Sequence, residues 1–69
     1  MPLAVDIANH LKEKIKDKDK FEICIEEIML NYKCGRSTAY DVLRILEKEL
    51  SKDFDVIRFK GMLVGAKKK

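Results

Sequence analysis

Residues 34–50 read CGRSTAYDVLRILEKEL, and their first half crowds Arg36, Ser37, Thr38, Tyr40 and Arg44 onto the opening turns of an apolar-periodic stretch. A guanidinium presents a planar fork of donors that matches a phosphate or the O6/N7 edge of a guanine. Ser37 and Thr38 can bond a phosphate or either kind of base, and Asp41 can accept from a cytosine amine or hold Arg44 at i+3. This chemistry is recognition, not bond breaking. The chain has one His, no Ser–His–Asp arrangement and no glycine-rich phosphate loop, so no enzymatic activity is expected.

Each assignment has a purely structural rival. Ser37 and Thr38 serve equally well as helix-start residues that satisfy free N–H groups. Arg44 and Lys48 can be solvated charges paired with Asp41 or Glu47, and Tyr40 can be a partly buried packing residue.

Charge separates along the chain. Residues 1–32 carry five Lys against seven Asp and Glu, whereas residues 33–69 carry ten Lys and Arg against five acids. The second half is therefore the one suited to a polyanion. Arg58, Lys60 and the final Lys67, Lys68 and Lys69 follow with no acid after Asp55. They are candidates for the sugar-phosphate backbone, residues 67–69 as a basic tail.

Cys24, Cys34 and His10 are the only soft metal ligands, with no CxxC or HxxxH spacing, so no metal or other cofactor is expected. The two cysteines are either a reduced pair or a disulfide. No apolar run approaches the roughly 18 residues of a membrane span, and no basic, then apolar segment opens the chain. A cytoplasmic protein without a membrane or small-molecule partner is the expectation. The absence of Gln and the abundance of Lys, Glu and Ile match the bias of hyperthermophile proteins.

The elements that must position these residues follow from periodicity. Leu3, Ile7, Ala8, Leu11 and Ile15 mark one face of a helix over residues 2–17, with Pro2 in its first turn. His10 lies off that stripe, as an exposed side chain. Residues 21–23 alternate as a short strand. Ile25, Ile28, Met29 and Tyr32 define a second helix over residues 24–32, and Cys34-Gly35 makes a turn in which Gly accommodates a positive φ or tight cap. A third helix spans residues 36–50, with Ala39, Val42, Leu43, Leu46 and Leu50 inward and Ser37, Asp41, Arg44 and Lys48 outward. Ile45 falls off the inward stripe and is available to another element or subunit. FDVIRF and MLVGA form a hairpin over residues 54–66 around Lys60-Gly61.

This order, with CGRSTAYDVLRIL at its centre, resembles the winged helix-turn-helix domain of small bacterial and archaeal transcription regulators, and the lysine-rich, glutamine-free composition points to an archaeon or one of its viruses or plasmids as the source. Many of these regulators place a small residue, Arg, Ser or Thr and a small apolar residue at the start of the recognition helix. Gly35 departs from the pattern, standing where Ser often caps. The resemblance implies a single α+β domain over residues 1–69, with three helices and a C-terminal β-hairpin wing. It implies sequence-specific binding of double-stranded DNA. Helix 36–50 would enter the major groove through Arg36, Ser37, Thr38, Tyr40, Arg44 and Lys48, with Arg58 and Lys60 of the wing on the backbone. A homodimer reading paired half-sites is expected. The competing expectation is a winged-helix module that docks to proteins in a larger assembly, with Ile45 and the MLV strand at the interface.

Overall fold

The long amphipathic segment forms a helix over the span its periodicity predicts. In the structure, a computed structural model describing residues 3–69, it is Arg36–Leu50 (α3), and Ala39, Val42, Leu43, Leu46 and Leu50 are all buried. Among the described residues the order is α1 (Ala4–Ile15), β1 (Lys20–Cys24), α2 (Ile25–Tyr32), α3, β2 (Phe54–Phe59) and β3 (Met62–Lys67). This is an α+β fold of three helices and one three-stranded antiparallel sheet, in the order β1-β3-β2.

Helix α1 buries Ile7, Ala8 and Ile15, with Leu11 partly covered. Asp6 in its first turn and Lys12 and Lys14 in its last oppose the helix dipole. Leu3 is not part of the buried stripe. It is the N-cap residue, 69% exposed, and its carbonyl accepts the first helical bond from the Ile7 N–H. Pro2 lies outside the described residues.

The strand at 21–23 is longer than its alternation suggests, because Lys20 and Cys24 also pair, opposite Ala66 and Met62 of β3. Phe21 and Ile23 point to the core. Helix α2 begins directly after β1, and the Ile25 N–H donates to the Gly61 carbonyl at 2.9 Å.

The turn between α2 and α3 corrects one expectation. The left-handed residue is Lys33, at φ 51 and ψ 47, while Gly35 is extended at φ −80 and ψ 170 as the N-cap of α3. A β-carbon on Gly35 would meet nothing within 4 Å, so that glycine is not required by close approach. The β2–β3 turn does need its glycine. Lys60 (φ 40) and Gly61 (φ 77) are both left-handed between the paired Phe59 and Met62, the two-residue geometry whose twist suits a hairpin.

Fully buried Ile7, Ile28, Val42, Leu43, Leu46 and Leu63 join all three helices and the central strand in one core. Phe21 and Phe54 meet edge to face at its lower end, 5.3 Å between centroids. Ile45 is not free for another subunit: it is half-buried and packs against this core.

Candidate nucleic-acid interface

Helix α3 exposes Arg36, Ser37, Tyr40, Arg44 and Lys48, and half-buries Thr38 and Asp41. Arg36, Tyr40, Arg44 and Lys48 fall at successive i, i+4 positions and so climb the helix as one row. The inward stripe sets this arrangement. Once Ala39, Leu43 and Leu46 are turned to the core, the residues half a turn away must face solvent.

The hairpin turn lies beside the first half of this row. A β-carbon on Gly61 would stand 3.3 Å from the Tyr40 hydroxyl and 3.3 Å from the Ile25 side chain. Tyr40, 36% exposed, thus fills the angle between α3 and the turn. Lys60 stands next to Gly61, its ammonium 5.8 Å from the centre of the Phe59 ring. Arg36, Ser37, Tyr40 and Lys60 therefore share one end of the molecule. Lys33, which the sequence marks only as a charge in a turn, adds a cation three residues before Arg36.

The remaining candidates divide. Arg44 is joined to Asp41 in an exposed i, i+3 ion pair. Arg58 turns back to α3, its Nε 3.6 Å from Glu47 Oε1. Its direction follows from strand parity: Phe54, Val56 and Arg58 share the helix-facing side of β2, and Arg58 pairs with the buried Leu63. Arg58 thus ties the hairpin to α3. Among the described residues Arg36, Lys48 and Lys60 take part in no ion pair.

The basic tail is elsewhere. Lys67 belongs to β3, its N–H donating to the Asp19 carbonyl at 2.7 Å, and the Lys68 N–H donates to the Asp53 carbonyl at 2.9 Å. Both lie at the end of β3 opposite the Lys60-Gly61 turn, about 20 Å away at roughly 3.4 Å per strand residue. The tail and the first turns of α3 are not brought together.

Cys24 and Cys34 are free thiols, Cys34 buried with its Sγ 3.8 Å from the Ile28 carbonyl. No cluster of three His, Cys, Asp or Glu capable of holding a metal occurs among the described residues. No helix there is long and apolar enough to cross a membrane. His10 is exposed but engaged: it stands edge-on to Tyr32 at 5.7 Å and is hydrogen-bonded to the Tyr32 hydroxyl, linking α1 to α2. Burial pushes the Tyr32 phenol above its ordinary pKa.

The chain matches no family model, no curated protein and no solved structure.

Proposed function

We propose that the chain is a winged helix-turn-helix protein that binds double-stranded DNA in a sequence-dependent way and acts as a transcription regulator. One observation carries the reading: Arg36, which takes part in no ion pair among the described residues, the hydroxyl residues Ser37 and Tyr40, and Lys60 of the hairpin turn lie at one exposed end, where α3 begins and the hairpin turns. The strand order β1-β3-β2 around three helices, with three residues between α2 and α3, is compatible with it.

In this reading the first turns of α3 enter the major groove. Arg36 and Ser37 reach bases or the flanking phosphates, and Arg44 reads a guanine after exchanging its bond to Asp41 for one to the base edge. Lys48 contacts a phosphate further along the groove. The hairpin turn is the wing, and Lys60 is its phosphate contact. Arg58 holds the wing against α3 through Glu47 and does not touch DNA. This assigns Arg58 a positioning role in place of the direct contact expected of it.

Selection of bound sequences from a random duplex pool tests the reading, followed by binding isotherms on the selected and scrambled duplexes over a series of salt concentrations. A recurrent motif is expected, with affinity for it above that for scrambled DNA and falling as salt rises. No binding to any duplex at physiological salt would sink it and favour docking to a protein.

A further inference from the structure

The sheet has one face against the helices and one face bare. Row by row across β1, β3 and β2, the bare face carries Lys20–Ala66–Asp55, then Glu22–Val64–Ile57, then Cys24–Met62–Phe59. Ile57 is 68%, Phe59 60% and Val64 39% exposed. Ile57 and Val64, with Lys20, Glu22, Asp55 and Ala66, border an open depression of about 600 Å³, and Phe59 lies one row beyond it toward the hairpin turn. An apolar centre of this kind within a charged rim marks an interaction surface.

The charges on the rim indicate the occupant. Lys20 and Asp55 flank Ala66 from opposite edge strands, about 10 Å apart at roughly 4.8 Å per strand spacing, and among the described residues they are not paired with each other. A two-fold axis lying along β3 between two such faces exchanges the edge strands, so that β1 of one copy runs over β2 of the other. Lys20 then stands over the partner's Asp55, and the partner's Lys20 over Asp55. Val64, Ala66 and Met62 meet their own copies on the axis. A two-fold axis across the strands would instead bring Lys20 toward the partner's Cys24 and leave the charges without partners. In the same arrangement Glu22 stands over the partner's Ile57, and because β1 is an edge strand its carboxylate can turn outward to solvent.

We propose that a second copy of the chain covers this face, the two sheets packed about a two-fold axis along β3 and locked in register by two Lys20–Asp55 ion pairs. The interface uses none of the α3 candidates and meets the DNA reading only at Phe59, whose ring lies beneath the Lys60 ammonium. It replaces Ile45, which is spent on the core, with Ile57, Val64 and Phe59 as the apolar surface behind a homodimer. Three strands of five or six residues give a footprint well under the roughly 800 Å² per partner of a standard interface, so the association is weak and concentration-dependent.

Sedimentation equilibrium without DNA, from about 10 µM to about 1 mM, tests this on four chains: the unaltered protein, Lys20→Asp, Asp55→Lys and the double variant. The unaltered chain and the double variant should self-associate. Each single variant should associate at least ~10-fold more weakly, because it sets like charges face to face. An equimolar mixture of the two singles should recover association, since a mixed dimer restores both pairs. Thermal melts on all four confirm that these exposed positions leave the fold intact. A monomer throughout the range overturns the proposal. So does association of both singles at the unaltered strength, or a mixture no more associated than its components.

Discussion

Arg44 and Asp41 are joined side chain to side chain across one turn of α3, on the face turned away from the core. An exposed pair of this kind contributes only about 0.2–1 kcal/mol to folding. Its larger effect falls on binding, because the carboxylate occupies the guanidinium and adds a negative charge where phosphates would approach. Asp41→Asn should leave the melting temperature nearly unchanged and raise affinity for all duplexes alike. Arg44→Ala should cost about 1–3 kcal/mol on the preferred duplex and relax choice at one base pair. Anisotropy isotherms on selected and scrambled duplexes separate the two. If Arg44→Ala changes neither affinity while the protein stays folded, α3 is not the reading helix.

Lys60 allows charge to be removed without loosening the hairpin. Its backbone is left-handed, a conformation that Asn tolerates better than Lys, and Asn-Gly is the favoured pair for such a turn. Lys60→Asn should therefore hold or raise stability while reducing the magnitude of the salt slope of DNA binding by about 0.9, one phosphate contact. Lys69→Ser, at the far end of β3, should leave the slope unchanged. The opposite pattern would move the phosphate contacts from the hairpin turn to the tail.

Tyr32 links folding to alkaline pH. Its phenol is held above the ordinary value by burial, so the folded state prefers the neutral form. The contribution is intact below the unfolded pKa, near 10.0, and is lost as pH rises through the higher folded value. Lysines titrate in the same range, so the comparison is with Tyr32→Phe, which keeps them all. The unaltered protein should lose more stability than Tyr32→Phe between about pH 8 and about pH 11 in urea denaturation. Parallel losses would show that the phenol is equally solvated in both states.

What the sequence made legible were the local elements. Ala39, Val42, Leu43, Leu46 and Leu50 announce α3 because burial and a 3.6-residue period coincide there. Lys60-Gly61 between two β-prone runs announces the hairpin. Long-range pairing was not legible: nothing in FEI specifies that Phe21 meets Gly65, so the third strand of the sheet stayed a fragment. Left-handed Lys33 had no signature, since lysine has no turn preference of its own and neighbouring Gly35 looked the better candidate. The candidate site suffered most where direction mattered. Counting Arg58 as a cation hid that it is two residues beyond Val56 and hence on the helix side. Counting Lys67 to Lys69 as a tail hid that its first residue completes β3.

The pairing of Phe21 with Gly65 yields a test of the sheet itself. They are direct partners in the β1–β3 ladder, and the Phe21 ring lies over the glycine, where a β-carbon would stand 2.4 Å from Cε2. The ring is also held by the edge-to-face contact with Phe54, which restricts how far it can swing away. Gly65→Ala should therefore destabilise by about 1–3 kcal/mol, the range of overpacked cores, although alanine is ordinarily at least as good as glycine in a strand. Phe21→Leu vacates part of that space at its own cost in buried area. On that background Gly65→Ala should cost less, with a coupling of about 0.5–3 kcal/mol between the two positions. Urea denaturation of the four chains closes the cycle. Additive losses, or a neutral Gly65→Ala, would mean that the ring does not lie over Gly65 and that β1 does not pair with β3 in this register.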